Sequence, residues 1–150
     1  MRIAGSRSLP FDCEKIYRSL HDPAILARCV QGCDALEQTA PDEYAMNMKV
    51  ELAAFSGNFR GRIKTSDAHP PHSFKIWVDG DMVFGSLRGE GLLKLNPSPE
   101  GTDLAYDGDV LVGGTIASLG QRIIDSTAKA MIRKFFDRFI EEIAPDALHS

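Results

Sequence analysis

Three cysteines, four histidines and several strand carboxylates are the side chains from which this chain could assemble a reactive centre. Cys29 and Cys33, with His21 upstream, are the nearest approach to a metal set. A structural zinc site takes four ligands, usually as two spaced pairs, and no second Cys/His pair follows. Cys13, Cys29 and Cys33 therefore read as free thiols, an odd and low number that suits a reducing compartment. His69 and His72 flank Pro70-Pro71 in a polar turn, and His21 precedes Asp22-Pro23 where one short helix gives way to another. Both settings describe turn residues better than proton-transfer groups. Asp103, Asp107 and Asp109 alternate, which puts them on one outward strand face as a solvated acidic edge. Arg60, Arg62 and Lys64 make a basic stripe by the same alternation, either solvated or docked on an acidic partner. The chain has no Gly-rich phosphate loop, nucleophile elbow or dinucleotide fingerprint. No catalytic and no metal site is expected.

The elements that carry these residues follow from periodicity. Met1 to Leu9 alternates as an opening strand. Phe11 to Leu20 repeats at helical spacing, and Asp22 with Pro23 caps a second short helix that stops near Gly32. Alternation then governs Cys33 to Val112, broken by turns such as Pro70-Pro71 and Asn96 to Pro99, which predicts one-side-buried antiparallel strands. From Ile116 to Ile143, with Thr115 as cap and Pro145 as stop, apolar residues recur every three or four positions. This predicts one long helix with a wide apolar face. Only the inner faces of the strands can cover that face. The expected fold is α+β: a curved antiparallel sheet of six to seven strands gripping the long helix, as one domain over residues 1–150. If Ile3 and Leu9 point inward then so does Arg7, unless a bulge turns it out; a buried acid is the alternative partner.

Small residues sit where sheet and helix face each other: Gly61, Gly89, Gly91 and Gly108 on strands, and Ala117, Gly120, Ser126 and Ala128 on the helix. Strand glycines permit sharp coiling, whereas Met131, Phe135, Phe136 and Phe139 fill the other half. The expectation is a closed aromatic end and a hollow end near the start of the helix. Met46, Met48, Val50, Phe59, Ile63 and Ile76 would line the hollow from one part of the sheet. Val78, Leu93, Tyr106 and Val110, with Gly120 and Ile124 of the helix, would complete it. The turns at Ala53 to Ser56 and Asp81 to Phe84 share that end, and both are apolar although turns ordinarily face water. Phe55, Met82, Val83 and Phe84 thus form a mouth that admits a greasy ligand and touches a membrane or partner.

Composition narrows the field. At 150 residues, with 43% hydrophobic and 25% charged side chains, the chain can bury a core of its own. A net charge of −4 opposes nucleic-acid binding, which runs on basic residues. No stretch is long and apolar enough to span a bilayer. The opening residues lack the apolar core of a secretory signal, so a cytoplasmic address is expected.

Several segments resemble one family. Arg28-Cys29-Val30-Gln31-Gly32-Cys33, Phe59-Arg60-Gly61-Arg62-Ile63, Pro70 to Phe74, Gly101 to Tyr106, and Val112-Gly113-Gly114 through Leu119 to Asp125 and on to Phe135-Phe136 are similar, in order, to the CoxG family of carbon monoxide dehydrogenase subunits. That family belongs to the helix-grip superfamily of START-like lipid-transfer domains and polyketide cyclases. The resemblance implies a non-catalytic accessory protein for molybdenum-containing carbon monoxide dehydrogenase or a related hydroxylase. It further implies a pocket for a quinone or lipid, no covalent cofactor, and peripheral contact with the inner face of the plasma membrane. Val50 to Gly57 and Val78 to Gly85 depart from the family's usual loops. The alternatives are a small cyclase- or hydrolase-type enzyme using inward Tyr106, Thr65 or Arg7, and a ligand-free adaptor for the dehydrogenase.

Overall fold

The computed structural model describes residues 1–52 and 55–145. Its elements are strand β1 (Arg2–Leu9), helices α1 (Cys13–Leu20) and α2 (Pro23–Cys29), strands β2 (Cys33–Ala40), β3 (Glu43–Leu52), β4 (Phe55–His69), β5 (Ser73–Met82), β6 (Gly85–Ser98) and β7 (Gly101–Gly113), a 3-10 turn (Thr115–Leu119), and helix α3 (Gln121–Ile143). The helix starts follow their side chains. The Asp12 carboxylate accepts the Lys15 N–H at 2.8 Å and that of Asp22 accepts the Ala24 N–H at 2.9 Å, with Pro23 in the first turn.

All seven strands form one antiparallel sheet in the order β1-β7-β6-β5-β4-β3-β2. Each hairpin joins sequence neighbours except at β1, which pairs with the last strand from Arg2 opposite Asp109 to Leu9 opposite Thr102. Alternation holds as expected. Tyr44, Met46 and Met48 are buried while Asn47 and Lys49 are exposed, so one face packs and the other meets water. The α+β helix-grip architecture is as the periodicity and the resemblance predict.

Two buried clusters lie on the inner face. The larger gathers Leu9, Ile16, Tyr17, Phe74, Leu95, Leu104, Phe136, Phe139 and Ile143, with Phe135 packed against it. Phe135 and Phe139 stack at 5.9 Å, and Phe136 meets Phe135 edge-on at 5.2 Å. This is the predicted aromatic end. Tyr17 packs its ring on His21 and Phe74, which fixes His21 as the residue that ends α1; its Nδ1 lies 2.7 Å from the Tyr17 carbonyl. The smaller cluster is Met46, Met48 and Phe59.

Two expectations are corrected. The long helix does not begin at Thr115: residues 115–119 form a 3-10 turn and α3 starts at Gln121. Gly120 between them has φ +89° and ψ 157°, an extended backbone of positive φ that glycine permits and that breaks the helical path between the two. Ile116 and Leu119 preserve helical spacing through the turn, which is why periodicity runs on across the break. Second, Gly61 does not mark empty space. The Phe59 ring folds over it and over Gly80 on the neighbouring strand, where an added Cβ would collide with that ring.

Candidate functional site

The inner face changes character toward the start of α3. Phe136, Phe139 and Ile143 are buried in its last turns, whereas Ile124, Thr127 and Ala128 are only half-buried and Ile123 and Met131 are exposed. The strand residues opposite behave alike: Val78, Leu87 and Val110 point inward by alternation and remain half-buried. Among the described residues, chain neighbours aside, a Cβ built on Gly89 would find two atoms within 4 Å, the Asp109 carbonyl oxygen and a Val110 methyl, both on β7. No atom of α3 comes that near. Gly91 and Gly108 face each other across β6 and β7, and a Cβ on Gly108 would meet the Glu90 carbonyl oxygen at 2.5 Å. Glycine here allows the two strands to run in close approach.

The residues expected to line a pocket fall into distinct places. Met46, Met48 and Phe59 are buried together, with Val50, Ile63, Val78 and Met82 packed partly exposed against them. Ile76, Leu93 and Tyr106 flank the larger cluster. Tyr106 lies inward, its ring crossing Gly5 on β1, where any Cβ would strike the phenol. Val110 and Ile124 border the open part, and Gly120 is exposed at the break before α3 instead of lining a helix face. Arg7 faces inward with no bulge in β1 and pairs with Asp137 of α3, its side chain 29% exposed. The inner face thus carries a charge pair that sequence alone left undecided.

The expected mouth is partly described, because Ala53 and Ala54 lie outside the described residues. The Phe55 and Phe84 rings meet at 5.2 Å, joining the β3–β4 and β5–β6 turns. Val83 at the tip is 88% exposed. Ile116 of the 3-10 turn is buried, and its N–H donates to the Phe84 carbonyl at 2.9 Å. These apolar side chains gather at the same end as the half-covered inner face.

The remaining candidates take ordinary roles. Burial pushes the Cys29 thiol up to about 11, with Glu142 adding to the effect, and burial raises Cys33 as well. Thiols held protonated are poor nucleophiles. Arg2 donates two hydrogen bonds to Asp107, at 3.0 and 2.7 Å, and these hold that carboxyl below the usual carboxylate range. Asp103 accepts a hydrogen bond from Ser8 at 2.8 Å. Among the described residues, no group of three or more His, Cys, Asp or Glu is placed to hold a metal ion.

Two clefts open elsewhere. One of about 390 Å³ lies on the outer sheet face, where Arg60 and Arg62 stand opposite Asp81 and Asp79 over Ala35 and Ala45. The other, about 620 Å³, separates α2 and the Arg28 to Cys33 segment from α3. Sequence reasoning missed the second, whose walls come from positions far apart in the chain.

A sheet curved around one long terminal helix, with half-covered apolar residues at one end, defines the helix-grip class of α+β proteins. A solved structure of a conserved protein from Geobacillus kaustophilus is similar at 34% identity over 95% of each chain, with a TM-score of 0.91. The chain belongs to the CoxG family of carbon monoxide dehydrogenase subunits, whose model matches residues 5–144. The Zhui aromatase/cyclase from Streptomyces sp. R1128 shares the fold alone, at 9% identity over 95% of this chain and 93% of that one, TM-score 0.70. So does protein CV1439 from Chromobacterium violaceum, at 20% identity over 97% and 99%, TM-score 0.67. A comparison with curated proteins finds no match. Family and fold fit an accessory, ligand-binding role.

Proposed function

We propose that this protein holds an apolar molecule, a quinone or similar lipid, between the curved part of the sheet and the first half of α3. On this reading it serves a molybdenum-containing carbon monoxide dehydrogenase or related hydroxylase at the inner face of the membrane, without catalysing a reaction or binding a covalent cofactor. The observation that supports it most is the uncovered strip at Gly89: inward-facing apolar residues surround a position that no part of α3 approaches within 4 Å. Apolar side chains left half in water on an inward face gain from a greasy occupant, at about 25 cal/mol for each Å² removed from solvent. Val83, Phe55 and Phe84 would meet the bilayer. A few such contacts, each worth about 1.5–3 kcal/mol when fully buried, give reversible attachment. Among the described residues no helix is long and apolar enough to cross a membrane, which is consistent with contact from one side.

Native mass spectrometry with solvent extraction of the purified protein tests the proposal. A co-purifying quinone or lipid is expected, and Gly89→Leu, which points a side chain into the uncovered strip, should lower its occupancy while circular dichroism stays unchanged. A protein that emerges bare and takes up no added menaquinone analogue would overturn it.

A further inference from the structure

The 620 Å³ cleft between α2 and α3 is lined by four cations, Arg28, Lys49, Lys134 and Arg138, and two carboxylates, Asp34 and Asp137. Asp137 is engaged by Arg7, and Arg28 by Glu142 at 2.8 Å. Among the described residues, no carboxylate lies within salt-bridge distance of Lys49, Lys134 or Arg138. Three cations therefore face a single uncommitted acid, Asp34, in a chain whose net charge is −4. The positive charge is local.

The walls are set in place. Lys134 and Arg138 are four residues apart on α3 and so share one helix face. Lys49, exposed on β3, lines the cleft beside the Gly32 loop, its backbone N–H donating to the Gly32 carbonyl at 2.8 Å. Gly32 has φ +76°, and a Cβ there would meet the Lys49 carbonyl oxygen at 2.5 Å. Only glycine permits this close approach, so the loop and the strand hold a fixed spacing. Ala27, Val30 and the Gly32 backbone supply a neutral floor.

We infer that this cleft is a docking socket for an acidic segment of a partner protein, one that presents two or more carboxylates along an extended stretch. The two cations already paired here, Arg28 in the wall and Arg7 on the wall residue Asp137, both take carboxylates. The cleft is concave and flanked by helices, which suits an inserted chain and not a flat lipid surface. Its volume and its spread of cations over two elements exceed what a single small anion would use. The inference does not depend on the apolar-ligand reading, since none of these three lysine and arginine side chains belongs to the inner face.

Fluorescence anisotropy with a labelled octaglutamate peptide and the full chain provides the test. Binding is expected, weakening as salt rises from about 0.05 M to about 0.5 M. The double variant Lys134→Glu/Arg138→Glu should lose at least about tenfold in affinity. Lys134→Gln/Arg138→Gln should lose less, and Arg60→Gln/Arg62→Gln on the outer sheet face should bind as the parent does. The substituted residues are exposed, and circular dichroism verifies the fold. Equal binding by the parent and the charge-reversed variant would overturn the inference. So would full displacement by millimolar inorganic phosphate, which marks a small-anion site, or binding to anionic phosphatidylglycerol vesicles with none to the peptide.

Discussion

The aromatic end and the mouth end of the inner face use the same strands and the same helix, yet they are packed to different standards. At the aromatic end Phe139 and Leu104 have no exposed surface, and Phe136 and Phe139 of α3 share one cluster with Tyr17 and Phe74, Phe135 packing against its edge. At the mouth end Ile124, Val110 and Val78 point inward but remain half-covered, and Val83 stands in solvent. The thiols divide along the same line: Cys13 and Cys29 lie in the larger cluster, Cys33 beside the smaller one. The difference teaches that full packing and partial cover are separated along one helix, so that one end can stay underfilled without unfolding the other.

That separation can be broken or sharpened by mutation. The largest effect is expected from Phe139→Ala, which should cost about 3–5 kcal/mol in chemical denaturation because a fully enclosed ring leaves a cavity. An alkaline titration comes next. Burial raises the Cys29 thiol to about 11, so the unfolded chain, with an ordinary thiol near ~8.5, releases this proton first. The resulting stabilisation is complete below the unfolded value and lost as pH climbs to about 11. Denaturation midpoints should fall over that window in the parent and less in Cys29→Ala, and iodoacetamide should label Cys33 before Cys29. Gly120→Ala should cost about 1–3 kcal/mol, the strain of a positive-φ extended backbone that essentially only glycine adopts, since nothing crowds that position. Val83→Asp should change stability by less than about 0.5 kcal/mol while lowering vesicle co-sedimentation if the proposed membrane contact holds. A large loss of stability from Val83→Asp, or a small one from Phe139→Ala, would erase the contrast.

Much of the frame was legible because alternation is a strict signal. Once Tyr44, Met46 and Met48 are set inward, the face that every other residue of that strand presents follows, whereas the direction of Arg7 stayed open between an inward place beside Ile3 and Leu9 and a bulge that would turn it out. The aromatic end was readable from Phe135, Phe136 and Phe139 at helical spacing. The break at Gly120 was not, because Ile116 and Leu119 mimic helical spacing and a lone glycine does not announce its sign of φ. Gly61 misled for a different reason: its cover comes from Phe59, two residues earlier on the same strand and face, a local contact that alternation could have revealed. The cationic cleft was beyond reach, since Arg28, Lys49 and Lys134 meet only after two helices and a strand edge have packed. Which acid would hold Arg7 was equally a matter of tertiary geometry.

The position of β1 beside β7 has a consequence for how the chain acquires its shape. Strands β2 to β7 can add one at a time through adjacent hairpins, each closing a short loop as the polypeptide lengthens. The first strand must wait: the amino group of Met1 donates to the Val110 carbonyl at 2.9 Å across 109 positions of sequence. Loop-closure entropy makes such long-range pairing the slow kind of contact. Pairing of β1 with β7 is thus among the last contacts to form, and until it does the β7 edge is a bare template for a stray strand.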